Sequence, residues 1–233
     1  MTEACKICQS PAPLYGVVDF NKSCESFSGK HFPLKGEAVW YNKCGDCGFL
    51  FTSQFDHWSP LDWCEHVYTP DYALYDPDGS DGARASRVAP MVLSLAAGIG
   101  ATSMLDYGGG DGALTRLMRD KGIDARSFDP LREDVCPSAL FPLITAFEVL
   151  EHTPTPTDTL KFIISRLTPG GMFLFSTLTL DGLDARSMDH WYIAPRNGHV
   201  SIHTTKSLGV LFYGQGFSVQ NLAYGIHLAR AVK

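Results

Sequence analysis

A glycine-rich stretch at residues 104–118, with the sequence MLDYGGGDGALTRLM, constrains the fold more than any other feature of the chain. The apolar residues before Gly108 predict a short β-strand at 103–107, and those after Gly112 predict a helix at 113–121. Glycines between a strand and a helix let the backbone turn sharply and approach a ligand, because no Cβ stands in the way. This order of elements is typical of parallel α/β sheets that bind nucleotides.

From residue 83 onward the chain keeps alternating between helical and strand-like segments. The pattern predicts helices at 83–97, 113–121, 157–167 and 206–213, and strands at 103–107, 125–128, 143–147, 172–178, 217–223 and 226–232. Such alternation implies a mostly parallel sheet covered by helices. Only Tyr224 and Gly225 separate the last two strands, which suits an antiparallel pair. The predicted fold class is therefore α/β, a Rossmann-like, mostly parallel sheet with a C-terminal antiparallel hairpin.

Two cysteine pairs near the N-terminus predict a structural zinc site. A two-residue gap within each pair lets both sulfurs face one tetrahedral ion, and four thiolates leave no position open for water. The gap of 35 residues between the pairs exceeds the common spacing, so the hairpin between them must be elaborated. Two redox-active pairs, or thiols placed by coincidence, remain as alternatives. The predicted zinc ligands are Cys5, Cys8, Cys44 and Cys47.

A change in composition near residue 60 predicts a division of the chain. Residues 1–58 are rich in cysteine and aromatic residues, with strand-like runs at 15–20, 37–42 and 49–52, and predict a small β-rich, zinc ribbon-like module. Residues 59–82 contain many turn residues and predict a connector. Residues 83–233 form the predicted α/β domain.

Acidic residues around the glycine turn indicate the kind of nucleotide that would bind. Asp129 follows the next predicted strand and can accept the hydroxyl groups of a ribose. Gly108, Gly110 and Ala113 also satisfy the dinucleotide fingerprint, so a dehydrogenase remains an alternative. Carboxylates at Asp106 and Asp111 would oppose a diphosphate but suit a ligand that carries an ammonium and a sulfonium group.

Two later segments, LITAFEVLEH at 143–152 and LTPGGMFLF at 167–175, resemble motifs of the class I S-adenosylmethionine-dependent methyltransferases. The resemblance covers roughly residues 65–233 and implies S-adenosylmethionine (SAM) as the cofactor. It implies that Asp106, Gly108 and Gly110 contact the methionine end of the cofactor. By the same resemblance, Asp129 and Pro130 contact the ribose, and Phe147 and Glu148 contact the adenine side. The segments CGDCGFLFTSQFDHWSP and YTPDYALYD resemble methyltransferases with an N-terminal zinc-binding region. This second likeness implies that Tyr72 and Tyr75 lie over the cofactor, with packing on the first helix as the alternative.

The chain departs from the family between Asp129 and Leu143. Only 13 residues lie between them, which is too few for the helix and strand usually found there. We therefore expect the acidic residue that usually reads the adenine amino group to be absent. Backbone groups and apolar residues such as Leu131 would then hold the adenine.

Methyl transfer to oxygen or carbon also needs a group that accepts a proton. Carboxyl ends of parallel strands are where such sheets form their sites, which points to Glu148, Glu151 and His152 after the fourth strand. The loop after the fifth strand adds further candidates, and the predicted catalytic residues are His199, His152 and Tyr192. We expect His203 to cap a helix that begins at 204. Arg84, Arg87 and Arg196 are expected to be solvated surface residues, with binding of an anionic substrate as the alternative.

Charge and composition narrow the expected partners. The net charge of −6 argues against nucleic acid, and no apolar run is long enough to span a membrane. The N-terminal residues do not resemble a signal peptide, so a cytoplasmic location is expected. The expected acceptor is a small molecule: a sugar, a polysaccharide or a secondary metabolite. A methyltransferase of RNA or protein and a non-catalytic cofactor-binding protein remain alternatives.

Overall fold

The computed structural model describes residues 2–77, 82–132, 135–182 and 187–232, which form two sheets flanked by α-helices. The strands are β1 (Thr2–Ala4), β2 (Pro11–Asp19), β3 (Ala38–Lys43), β4 (Leu50–Phe51), β5 (Ser103–Tyr107), β6 (Asp124–Phe128), β7 (Phe141–Ala146), β8 (Leu167–Ser176), β9 (Ser201–Ile202), β10 (Phe217–Ala223) and β11 (Ile226–Ala231). The α-helices are α1 (Pro60–His66), α2 (Ala83–Ile99), α3 (Ala113–Asp120), α4 (Pro156–Ile164) and α5 (Thr205–Tyr213).

The larger sheet has six strands in the order β10-β11-β8-β7-β5-β6. Strands β6, β5, β7 and β8 run parallel to one another, whereas β11 pairs antiparallel with both β8 and β10. The prediction of a mostly parallel sheet that ends in an antiparallel hairpin is therefore confirmed.

Helices cover both faces of this sheet, because successive strand residues point to opposite sides. On one side Leu143 packs with buried residues of α2 and α3, including Val92 and Met118. On the other side Ile144 packs with the aromatic and aliphatic side chains of α4 and α5, including Phe212. A strand that is buried on both faces needs a continuous apolar run, and the run at 141–147 supplies it.

The sheet ends at β6 on one side. Of the described residues between β6 and β7, none forms a helix or a further strand, and the chain passes directly from one strand to the other. The sequence predicted this shortening from the small number of residues after Asp129, and the described part of the segment confirms it.

The smaller sheet joins the N-terminal region to the rest of the chain. Its strands lie in the order β1-β2-β3-β4-β9 and are antiparallel throughout. The fifth strand, β9, comes from the segment after β8, and Leu50 of β4 pairs with Ile202 of β9. The cysteine-bearing region is thus hydrogen-bonded to the α/β domain. The division at 1–58, 59–82 and 83–233 stays a prediction.

Two local predictions near α4 and α5 were wrong. The helix predicted to reach residue 167 ends at Ile164, because Leu167 already pairs with Phe141 as the start of β8. The predicted capping role of His203 belongs instead to Thr204, whose hydroxyl accepts the backbone N–H of Ser207 at 3.0 Å. His203 is buried, with its ring centroid 4.9 Å from that of Phe49.

Candidate active site and metal centre

The four predicted zinc ligands come together where the connection from β1 to β2 meets the connection from β3 to β4. Sulfur–sulfur distances are 3.6 Å for Cys5–Cys47 and for Cys8–Cys47, and 3.4 Å for Cys8–Cys44. A tetrahedral ion with Zn–S bonds of about 2.3 Å needs sulfurs about 3.8 Å apart, so the cluster fits zinc. The contact between the Cys5 and Cys47 sulfurs lowers the pKa of the Cys5 thiol and raises that of the Cys47 thiol, so a thiolate at Cys5 is stabilised by the thiol of Cys47.

The glycine turn is closely packed beneath β5. Gly108 has φ +70°, and a Cβ there would lie 2.5 Å from a methyl carbon of Val149. A Cβ on Gly109 would lie 2.3 Å from the Ser127 hydroxyl oxygen and 2.8 Å from Oδ2 of Asp106. Gly110, in contrast, faces open space. The backbone at this turn therefore fits against the protein on one side and is free to contact a ligand on the other.

The two acids of the turn have different surroundings, which corrects the charge argument made from sequence. Asp106 is buried and accepts a hydrogen bond from the Thr145 hydroxyl at 2.7 Å, and burial raises the pKa of its carboxyl to about 7. Asp111 lies at the surface and forms an ion pair with Arg116 at 2.8 Å. Only Asp106 thus lies beneath the turn, and Asp111 is neutralised by its own helix.

Asp129 lies at the carboxyl end of β6, beside the glycine turn. Its carboxylate accepts the backbone N–H groups of Gly110 at 3.0 Å and Leu131 at 2.9 Å. The Ser127 hydroxyl beneath the turn is buried and has no hydrogen-bond partner among the described residues. An open glycine with an anchored carboxylate beside it fits the ribose and amino-acid parts of SAM.

A cavity of about 470 Å³ opens beside this turn at the carboxyl ends of β7 and β8. It is lined by all three predicted catalytic residues and by four of the predicted cofactor residues: His152, Tyr192, His199, Tyr72, Tyr75, Phe147 and Glu148. The other predicted cofactor residues, Asp106, Gly108, Gly110, Asp129 and Pro130, lie outside its lining, in or next to the glycine turn.

Glu148 has a strained backbone in this cavity. Its φ is +54°, a left-handed conformation that non-glycine residues rarely adopt. The Ser176 hydroxyl stabilises it twice, by accepting the backbone N–H of Glu148 at 2.7 Å and by donating to its carboxylate at 2.5 Å. Strain of this kind concentrates at functional sites. No local sequence signal marks it, because the constraint comes from β8.

Behind Glu148 lies a buried polar cluster that the sequence located only in part. Glu151 is fully buried and accepts the Tyr192 hydroxyl at 2.7 Å, and burial raises the pKa of its carboxyl well above the usual value. The Tyr192 hydroxyl also accepts the backbone N–H of Leu178 at 3.1 Å. Burial raises the pKa of the Tyr192 phenol well above 10, so it positions Glu151 and does not accept a proton near neutral pH.

The two histidines of the cluster are held by their Nδ1 atoms. Nδ1 of His199 lies 2.7 Å from the Tyr192 carbonyl oxygen, to which it donates. Nδ1 of His152 lies 3.2 Å from the Tyr68 hydroxyl, and the two imidazole rings meet edge to face at 4.8 Å. Burial lowers the pKa of both histidines, so both are neutral near pH 7.

A family comparison identifies the scaffold. Residues 61–222 match the family model described as a methyltransferase domain, and this span is more than half of the chain. The chain belongs to this methyltransferase family. No curated protein is significantly similar to it in sequence.

Solved structures share the fold of this methyltransferase at low sequence identity. The 1,6-didemethyltoxoflavin-N1-methyltransferase of Burkholderia thailandensis, solved with substrate and S-adenosylhomocysteine (SAH), has 18% identity and a TM-score of 0.52, covering 87% of this chain and 99% of that one. The plantazolicin methyltransferase BpumL with SAH has 10% identity and a TM-score of 0.53, covering 75% of this chain and 94% of that one. PigF with SAH has 17% identity and a TM-score of 0.51, covering 77% of this chain and 64% of that one. This chain spans 60–64% of the length of TnmH, PigF and MmcR.

No helix in the described part of the methyltransferase combines the length and the apolar character that a membrane span requires.

Arg196 is buried in the methyltransferase, which corrects the expectation of a surface residue. Its guanidinium donates to the Val67 carbonyl at 2.7 Å and to the Thr69 hydroxyl at 3.0 Å. The same group lies 3.6 Å from the centre of the Tyr75 ring. Arg196 therefore holds the segment that carries Tyr72 and Tyr75 against the cavity.

We expect Arg196→Met to lower the free energy of unfolding by about 3 kcal/mol, because it leaves the buried Val67 carbonyl without its donor. Urea denaturation measures the change. Arg126→Met is the matched control: its guanidinium is 46% exposed and pairs with Asp124 at the surface, so a change within about 0.5 kcal/mol is expected. Equal effects of the two substitutions would contradict the structural role of Arg196.

Asp106 predicts a specific pH dependence of stability. Its carboxyl ionises at about pH 7 in the folded chain but near pH 4 when unfolded, so folding favours the protonated form between these values. The contribution of protonated Asp106 to the free energy of unfolding is therefore present at low pH and is lost as the pH rises through about 7. We expect Asp106→Asn to remove this dependence and to gain about 2 kcal/mol relative to wild type between pH 5 and pH 8.

Unfolding free energies at the two pH values test this expectation on the cofactor-free protein. Asp111→Asn is the control: its ion pair with Arg116 lowers the pKa of Asp111, so this carboxyl is ionised at both pH values in both states. The difference in unfolding free energy between the wild type and Asp106→Asn is measured at pH 5 and at pH 8. An equal difference at the two pH values would show that Asp106 has an ordinary pKa.

Proposed function

We propose that this chain transfers a methyl group from SAM to a small-molecule acceptor, such as a sugar, a polysaccharide unit or a secondary metabolite. The observation that carries the proposal is the cavity beside the glycine turn, which is enclosed by aromatic side chains and contains a buried cluster of titratable groups. Its volume of about 470 Å³ suits a small ligand.

Residues of the glycine turn and β6 would hold the cofactor. Gly108 and Gly110 would offer backbone to the methionine end, and Asp129 and Pro130 would contact the ribose. When bound, SAM supplies an electrophilic methyl group on a sulfonium. Asp106, beneath the turn, would place a carboxyl group on the same side of the cofactor as the methionine end.

The acceptor would occupy the cavity between the cofactor and the loop after β8. Tyr72 and Tyr75 form one wall with Phe147, and their rings exclude water from the reacting atoms. Arg196 and Asn197 fix this wall, because Asn197 donates to the Tyr75 carbonyl at 2.8 Å and accepts from the backbone N–H of Cys24 at 2.9 Å. Holding two reactants in line in this way is a large part of catalysis for a displacement reaction.

The predicted catalytic residues would act on the acceptor side. His152 and His199 are neutral and have Nδ1 engaged, so Nε2 of each ring is the nitrogen that can accept a proton or bind an ion. Tyr192 acts on Glu151 as a positioning residue. Glu148, anchored by Ser176, lies at the wall between the acceptor and the cofactor.

We also propose that the four cysteines hold a structural zinc ion. The support is the chemistry of the donor set and sulfur separations close to those of a tetrathiolate site. A cytoplasmic location stays a prediction, as do the absence of a nucleic-acid partner and of membrane attachment.

The experiment that tests this function is a transfer assay with SAM labelled at its methyl group. A panel of hydroxylated small molecules, with mixed RNA and a protein extract as separate arms, is incubated with the protein, and labelled product is counted. We expect label only in the small-molecule arm. The control is Glu65→Gln, a change in exposed α1 far from the cavity lining, which should transfer at the wild-type rate. Label found only in RNA or protein would overturn the choice of acceptor.

A further inference from the structure

Three side chains with metal-binding atoms meet at the inner end of the cavity. Glu151, His152 and His199 each place one ligand atom within 4.8 Å of the other two. His152 and His199 line the cavity, whereas Glu151 is buried behind them. Two first-row metal–ligand bonds of about 2.0–2.2 Å span at most about 4.4 Å, so small side-chain movements would bring all three atoms onto a single ion.

The contacts of the two rings are those that metal-binding histidines usually have. Nδ1 of His199 donates to a backbone carbonyl, and Nδ1 of His152 contacts the Tyr68 hydroxyl. In metal sites such outer contacts fix the tautomer and direct the other ring nitrogen to the ion. Nε2 is therefore the ligand atom of His199, and it is also the ligand atom of His152 when Nδ1 of that ring donates to the Tyr68 hydroxyl.

Glu151 supplies an independent indication. Its Oε1 accepts the Tyr192 hydroxyl, but its Oε2 is buried without a hydrogen-bond partner among the described residues. A buried carboxylate oxygen that is left unpaired costs free energy, which a cation removes when other donor atoms converge on the same space. The imidazole rings of His152 and His199 supply those donors.

We propose that Glu151, His152 and His199 bind a divalent first-row transition ion that contacts the methyl acceptor. Two nitrogen donors and one carboxylate suit manganese, iron or zinc, and three protein ligands leave coordination positions open. This site is separate from the four cysteines, whose thiolates occupy every position of their ion. Binding of the ion does not depend on the proposed function, whereas the class of acceptor rests on that function. An acceptor with a hydroxyl group would use an open coordination position, and the ion would lower the pKa of that hydroxyl.

The test uses manganese, a hard ion that prefers oxygen and nitrogen to thiolates. Protein that carries one zinc ion per chain, at the four cysteines, is titrated with Mn²⁺, because excess zinc would also occupy the second site. The electron paramagnetic resonance signal of the free ion gives the bound fraction. We expect one Mn²⁺ per wild-type chain. Glu151→Gln and His199→Asn should each weaken binding at least about 10-fold, since even the loss of an outer-sphere contact has an effect of this size.

The matched control uses a second group of potential ligands, Asp62, Glu65 and His66, which lies at the surface of α1. His66→Asn is expected to bind Mn²⁺ as the wild type does. Unchanged zinc content and circular dichroism show that each variant is folded. The number of Mn²⁺ ions bound per wild-type chain tests the proposal without any variant. Absence of Mn²⁺ binding to the wild type, wild-type affinity in folded Glu151→Gln, or loss of binding in His66→Asn would each overturn the proposal.

Calorimetric titration of the same samples with SAH separates this proposal from the proposed function. SAH binding without Mn²⁺ binding refutes the ion site and leaves the methyltransferase assignment intact. Mn²⁺ binding without SAH binding supports the ion site and refutes the cofactor.

Discussion

Replacing Cys44 by serine is expected to reduce bound zinc from about one ion per chain to below about 0.1 and to lower the melting temperature by at least about 10 °C. A structural zinc site contributes folding free energy outright, and a loss of about 5 kcal/mol shifts the melting of a chain this size by that amount. The effect should extend beyond the cysteines, because the Thr204 hydroxyl, which caps α5, donates to the Cys47 carbonyl at 2.7 Å.

Metal analysis and thermal denaturation measure the two quantities together. Cys136→Ser is the matched control: this thiol lies outside the cluster and donates to the neighbouring Pro137 carbonyl at 3.7 Å, so both zinc content and melting should stay at wild-type values. Zinc retained at one ion per chain in Cys44→Ser, or melting equal to that of Cys136→Ser, would contradict the four-thiolate centre.

Replacing Gly109 by alanine is expected to weaken SAH binding at least about 100-fold. The new Cβ would lie far inside contact distance of the Ser127 hydroxyl and of Asp106, and Asp106 is fixed by Thr145. The turn must therefore shift, which disturbs the hydrogen bond from the Gly110 N–H to the Asp129 carboxylate. Misplacing a binding group by about 1 Å has effects of this size.

Calorimetry with SAH and thermal denaturation test this second prediction. Gly98→Ala is the control, because no atom lies within 4 Å of its added Cβ and alanine favours the helix by up to about 1 kcal/mol. The double variant Gly109→Ala with Ser127→Ala removes the closest contact and should recover part of the affinity. Wild-type affinity in Gly109→Ala alone would show that the turn does not contact the cofactor.

Features set by local sequence could be predicted well. Strand β5, the glycine turn and α3 follow from neighbouring residues, as does the pairing of cysteines within each CxxC unit. The long-range features could not. Nothing in the residues around Arg196 indicates that Tyr75 covers its guanidinium, and nothing around Leu50 indicates that Ile202 pairs with it.

One sequence-based inference about the site was wrong, and two features of the site have no counterpart in the local sequence. The position of Asp111 among glycines suggests a contact with the ligand, but Arg116, in the first turn of α3, pairs with it. The strained Glu148 and the unpaired oxygen of Glu151 depend on contacts with Ser176 and Tyr192, which only the folded chain brings close.

Calorimetric titration of the wild-type protein with SAH, and separately with a nicotinamide dinucleotide, tests the central claim most directly. The glycine turn, with Asp106 beneath it and Asp129 beside it, predicts saturable binding of one SAH per chain and none of the dinucleotide. Binding of the dinucleotide in place of SAH would contradict the methyltransferase account.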